Sequence, residues 1–329
     1  MRLTALLALL GAALAIAFTG SLLIGPAALG WQTSLGALLH GDNEAARLVM
    51  REIRLPRAIL GAAIGATLGL SGAALQGYLR NPLADPGVLG ISASASFGAV
   101  LAAYFGAATL APLALPVSAI MGAAVAAVMV RILAGRDAGT LTLILAGVAI
   151  SSLAGALTTL ALNLAPSPFA ALEIVFWMLG SLSDRSMVHV WLALPFMALG
   201  WVLLMLSARA LDALTLGSDV AATLGESPRR TQLLVVAGSA VSVGAATAVA
   251  GAIGFVGLIV PHLLRGLVGS QPSRLLPASA LGGAVLVLLA DIAVRVVVPE
   301  RDIKLGVLTA LIGAPFFLWL VLKMRREAL

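Results

Sequence analysis

Long apolar runs, separated by short charged or Pro/Gly-rich breaks, fill this chain. At about 20 apolar residues per membrane crossing, ten segments stand out: 3–29, 57–78, 88–107, 113–134, 141–162, 188–207, 231–250, 255–269, 276–297 and 305–323. Short alternating strands are absent. In lipid each backbone must satisfy its own hydrogen bonds, so all ten are predicted as helices. A further short helix is expected near 169–180. The opening "MRLTALLALLGAALAIAFTG" starts like a signal peptide, but the apolar run continues to about Leu29. It therefore reads as an uncleaved first span.

Composition agrees with that pattern. The chain has 329 residues, 61% hydrophobic and 10% charged, with a mean hydropathy of +1.09. Soluble domains are nearer a quarter charged. A surface this poor in charge belongs in membrane lipid. The 35 glycines suit close helix approach. Gly61, Gly65 and Gly69 recur every four residues and mark one packing face on the second segment. Cysteine is absent, which excludes disulfides, thiolate metal sites and cysteine nucleophiles.

The net charge of +6 does not point to nucleic acid. The basic residues are scattered over loops, as membrane topology requires, with no basic-aromatic platform. An even number of spans places both termini on one side. Placing them inside puts twelve of the 20 basic residues in the cytoplasm. Of the eight exceptions, Arg47, Arg51, Arg54 and Arg57 cluster before the second segment, on the outer side. The cluster reads either as headgroup anchoring by snorkelling or as a dock for an acidic partner. Charge alone does not choose.

Several chemistries are missing. No GxxxxGK[ST] loop exists, so nucleotide is not bound in the P-loop manner. Gly251, Gly254 and Gly257 form GxxGxxG beside a span, which suits helix packing or a broken helix. His40, His189 and His262 are isolated and lack metal-ligand spacing. No Ser–His–Asp set can be assembled, and an enzyme is not expected. Asp291, in "LLADIAVRVV", is the one acid inside a predicted span. Buried charge in a membrane is a functional candidate. Arg295 lies four residues on, which favours a local ion pair; the competing reading is a proton-coupling carboxylate in a secondary transporter.

Six stretches occur in order: "IRLPRAILGAAIGATLGLSGAALQG", "RNPLADPGVLGIS", "LILAGVAI", "GAIGFVGLIVPHLLR", "LLPASALGGAVLVLLADI" and "LGVLTALIGAPFFLWLV". From about residue 45 to the C-terminus the chain resembles the FecCD-type permeases, membrane subunits of binding-protein-dependent ABC importers for iron-siderophores, haem and cobalamin. The resemblance implies an all-α, type II ABC importer permease fold, with residues 1–329 as one transmembrane domain of about ten helices. It implies a homodimer around a central pathway, with two separate ATPase subunits that use ATP and Mg. A periplasmic or lipid-anchored substrate-binding protein would dock outside. No cofactor is expected on this chain. The setting implied is the bacterial cytoplasmic (inner) membrane, with both termini cytoplasmic. The first-choice cargo is a large iron chelate, siderophore or haem; cobalamin is the alternative.

Site residues follow from the same resemblance. Arg54, Arg57 and Arg295 match arginines that meet glutamates of the binding protein. Asn81 and Leu83 of "NPL", with Thr140 and Leu141, match the cytoplasmic gate; some relatives carry a polar residue where Leu141 stands. Residues 208–230 match the coupling segment that seats in the ATPase. There Leu211, Leu214, Leu216 and Leu224 are expected as anchors, and Gly217 and Gly225 as bends. Turn chemistry alone makes "YLRNPLADPGVLGIS" a reversal; the resemblance makes it a gate as well. His262 and Arg265 match the family pattern without a role, and a helix-end function is the reading for both.

Overall fold

The computed structural model describes residues 3–25, 29–39, 43–107, 111, 113–135, 139–297 and 303–327. Helices α1 (Leu3–Leu23), α2 (Trp31–Leu39) and α3 (Glu44–Leu48) lead through a π-helical turn, Val49–Arg54, into α4 (Leu55–Leu79). A 3₁₀ turn, Pro86–Leu89, precedes α5 (Ile91–Tyr104). Then come α6 (Ala114–Ala134), α7 (Thr140–Asn163), α8 (Pro168–Met178), α9 (Met187–Leu206), α10 (Ala208–Leu214) and α11 (Ser218–Thr223). The chain finishes with α12 (Pro228–Ala250), α13 (Val256–Arg265), α14 (Pro272–Val297) and α15 (Leu305–Glu327).

Among the described residues, eight helices are long and apolar enough to cross a membrane. The third and eighth expected segments are the shorter α5 and α13, so all ten apolar segments are helical. The short helix expected near 169–180 is α8. The second segment differs from expectation: its helix begins at Glu44, not 57. Pro56 and the arginine cluster read as a break in sequence. Pro56 instead sits in the first turn of α4, where a missing N–H costs little. The π turn before it absorbs the change of register.

Glycine seams hold the helices together. A Cβ at Gly65 would land on the Gly283 carbonyl oxygen, and one at Gly69 on the Ser279 carbonyl oxygen. Thus α4 and α14 meet backbone to backbone, as the four-residue glycine spacing predicted. Gly72 abuts Gly257 of α13 in the same way. The α5–α6 pair repeats the device, with Gly98 on Ser118 and Gly122 on Ser94. Short polar bridges supplement these seams. Ser71 Oγ donates to Ser239 Oγ at 2.8 Å, and Trp201 Nε1 donates to Thr67 Oγ1 at 2.8 Å.

Helix α12 stops at Ala250 and α13 starts at Val256. Gly251 (φ 70°) and Phe255 (φ 68°) both adopt left-handed φ values at this break. The Ala250 carbonyl that ends α12 is satisfied from another segment, accepting from Ser181 N–H at 2.7 Å. Irregular backbone at membrane depth is tolerated only where protein covers it in this way.

Candidate functional site

Two polar sites sit at opposite ends of α4. The first is a cationic hub. Arg57 grips Asp291 with Nε at 3.0 and 3.1 Å and Nη2 at 2.8 Å. Arg295 approaches the other carboxylate oxygen at 2.9 Å. Arg295 also donates to Ser21 O at 3.0 Å, Ile24 O at 2.6 Å and Ser21 Oγ at 2.9 Å. Arg54 Nη1 donates to Leu22 O and Leu23 O, both at 2.9 Å. Two guanidiniums thereby satisfy the carbonyls that end α1, where a helix has no acceptor partners and carries partial negative charge.

This geometry changes the reading of three residues. Arg54 is 4% exposed and Arg295 8%. Both are spent on α1, so neither offers a docking group from this conformation. Only Arg57 keeps an open side, with its side chain 15% exposed. Arg47 and Arg51 lie exposed on the same approach. Asp291 forms the local pair its spacing with Arg295 suggested, and Arg57, 234 positions away, completes the clamp.

The second site surrounds the loop at 80–90. Arg80 closes α4 in the left-handed region (φ 49°), and Asn81 N–H returns to Gln76 O at 3.2 Å. Asn81 Oδ1 accepts from Leu83 N–H at 2.9 Å, and Asp85 Oδ1 from Gly87 N–H at 2.9 Å. Burial pushes the Asp85 carboxyl up, and the Gly87 amide pulls it back. The loop is more than a turn: Val88 packs its carbonyl against Gly147, one-third of the way along α7. The chain thus folds back between helices. Leu83 packs with Leu258, Ile259 and Leu320. Thr140 opens α7, and Leu141 beside it is 69% exposed. The Val88–Gly147 contact ties the loop to α7, the helix that Thr140 and Leu141 begin, while Leu83 itself packs on α13 and α15.

Gln76 organises that region. It is 2% exposed. Its Nε2 donates toward the carbonyls of Ala84, Gly257 and Leu258 at 3.3, 3.2 and 3.4 Å. Its Oε1 accepts from Arg265. Arg265 thus orients the amide that ties the loop to α13. Sequence reasoning passed over Gln76, although a lone amide inside an apolar span was the available signal. His262 stacks edge-on against Phe316 and Trp319, with centroids at 5.7 and 6.5 Å, which agrees with a structural part. His189 caps the start of α9 together with Ser186.

The segment 208–230 divides its leucines. Leu211 (0% exposed) and Leu214 (8%) face into the chain, against expectation. They seat α10 on the ends of α4 and α14, where Leu211 meets Gly77. Leu216 (65%) and Leu224 (62%) point outward as anticipated. Gly217 (φ 112°) and Gly225 (φ 83°) make the two expected bends, in a conformation that favours glycine. Between them lies a groove of about 360 Å³ lined by Arg209, Asp212, Ala213, Leu216, Leu224 and Glu226.

The comparisons agree with this architecture. The model of the FecCD transport family matches residues 13–323. The cobalamin import system permease protein BtuC of Halobacterium salinarum is 41% identical over 287 residues, 86% of this chain and 76% of that protein. The hemin transport system permease protein HmuU of Yersinia pestis is 37% identical over 304 residues, 90% of this chain and 88% of that protein. A solved structure described as an inward-facing conformation of a metal-chelate type ABC transporter is 33% identical. It superposes with a TM-score of 0.84, over 96% of this chain and 98% of that one. A multi-pass helical chain with these motifs in order, matched along almost its whole length, belongs to the FecCD transport family of ABC transporter permeases.

Proposed function

We propose that this permease moves a large metal chelate, an iron-siderophore or haem, from the outer side of the bacterial inner membrane into the cytoplasm. Cobalamin is the second reading, favoured by the BtuC likeness. The observation that carries the proposal is the near full-length superposition on a metal-chelate type transporter. Two copies enclose the pathway, and both termini are cytoplasmic. Two ATPase subunits, using ATP and Mg, seat on the exposed Leu216–Leu224 groove of each coupling segment. A substrate-binding protein docks at the end that carries Arg57. The loop at Asn81 and Leu83, with Thr140 and Leu141, closes the cytoplasmic mouth. The permease itself carries no cofactor and performs no hydrolysis.

Asp291 weighs against proton-coupled transport. Its carboxylate is 1% exposed and lies between two guanidiniums at 2.8 and 2.9 Å. Both carboxylate oxygens are taken up by ion pairs, which fits a structural clamp rather than a coupling group open to a pathway. The deciding experiment reconstitutes permease, ATPase and binding protein in liposomes. ATP-driven uptake of haem or a ferric siderophore, unaffected by collapse of the proton gradient, is the expected result. Uptake of cobalamin alone selects the second reading. Uptake without ATP that follows the proton gradient sinks the proposal.

A further inference from the structure

We propose that Asp291 is a positioning residue for docking: it holds the Arg57 guanidinium so that its remaining edge faces a carboxylate of the arriving binding protein. This rests on the docking reading above. Arg57 has five N–H donors in a rigid fork. Asp291 takes Nε and Nη2. Among the described residues Nη1 makes no hydrogen bond. The carboxylate is buried while Arg57 keeps its 15% exposure, so the bound edge faces inward and the other outward. Asp291 is itself fixed from behind by Arg295, which α1 anchors through Ser21 and Ile24.

The hub also keeps an excess of charge. Two guanidiniums share the Asp291 carboxylate, an excess of one positive charge at a mostly dry site. An acidic group arriving from outside meets a cation whose rotamer is already set. A free arginine on a surface must be immobilised at binding, and that cost is avoided here. The structure therefore sorts the arginines: Arg57 receives the partner, and Arg54 and Arg295 hold α1.

Two ideas predict opposite signs for Asp291→Asn. If net charge alone mattered, removing the carboxylate would add one positive charge and speed association with an acidic partner. If Asp291 positions Arg57, the amide offers one acceptor where the carboxylate offers two, the fork loosens and binding weakens. The experiment uses the permease–ATPase complex in nanodiscs and the importer's own substrate-binding protein, at low and at physiological salt. Arg57→Glu tests docking itself, and is expected to weaken affinity more than about tenfold. Asp291→Asn is expected to weaken it roughly two- to tenfold, the scale of ordering one long side chain. Arg57→Lys keeps the charge but cannot present two edges, and is expected to lose affinity to a similar extent. It also serves if the Asp291 variant does not fold. Tighter or unchanged binding by Asp291→Asn, or full affinity in Arg57→Lys, overturns the positioning role while docking stands. Unchanged affinity in Arg57→Glu overturns the docking reading instead.

Discussion

Helices α4 and α15 invert the rule that governs soluble proteins. The most apolar stretch of α15 has a mean hydropathy of 2.3, yet only 22% of it is buried in the chain. The span that contains α4 is less apolar, at 1.8, and 83% of its stretch is buried. Helix α1, again at 2.3, is the least buried at 17%. Lipid tails are as apolar as leucine, so hydrophobicity gives no reason to bury one helix rather than another. Helix α15 makes close glycine contacts at Gly306 and Gly313, in its first half. Helix α4 instead combines glycine seams with side-chain polar links spread along its length: Gly65, Gly69, Gly72, Thr67, Ser71 and Gln76. The interior of this protein is chosen by close backbone approach and hydrogen bonding.

That contrast can be broken at graded cost. Gly69→Leu drives a side chain into the Ser279 carbonyl and should cost about 3 kcal/mol or prevent folding. Thermal unfolding and size-exclusion behaviour in detergent check it, and a wild-type profile would end the seam argument. Gln76→Leu removes the amide whose two N–H groups serve the carbonyls of Ala84, Gly257 and Leu258 and whose oxygen accepts from Arg265, an expected loss of about 1–3 kcal/mol. The same variant should loosen the loop at 80–90, seen as faster amide exchange at Leu83 and Ala84; unchanged exchange would separate Gln76 from the loop. Ser71→Ala removes one interhelical hydroxyl bond, for about 0.6 kcal/mol in a double-mutant cycle with Ser239→Ala. Ile16→Ala on α1, at 73% exposure, is expected to stay within about 0.5 kcal/mol of wild type. If Ile16→Ala proved as harmful as Gly69→Leu, the contrast between the two kinds of helix would collapse.

The loop end and the arginine end differ in how well the sequence announced them. "NPLADPG" declares itself through Pro, Asp and Gly, and its local bonds at Asn81 and Asp85 are those its turn residues favour. Its return between the helices, set by Val88 on Gly147, is not local and was not legible. At the other end, four arginines before an apolar run were conspicuous, but their partners were not. Arg57 finds Asp291 across 234 positions, and Arg295 finds Ser21 across 274. The same limit applies to the coupling segment. Four leucines in a short stretch look alike, and two turn inward only because α4 and α14 end beneath them.

By itself the sequence determined that the chain is helical throughout, where its apolar segments lie, and to which family it belongs. It also marked the glycine face of α4. These properties depend on residues near one another, through apolar length, spacing and turn chemistry. Only the tertiary structure decided which arginines are spent on α1, which one keeps an open edge, and which leucines face outward. Those outcomes depend on which helices touch, and in a membrane that is settled by backbone approach and by partners distant in sequence, neither of which hydropathy records.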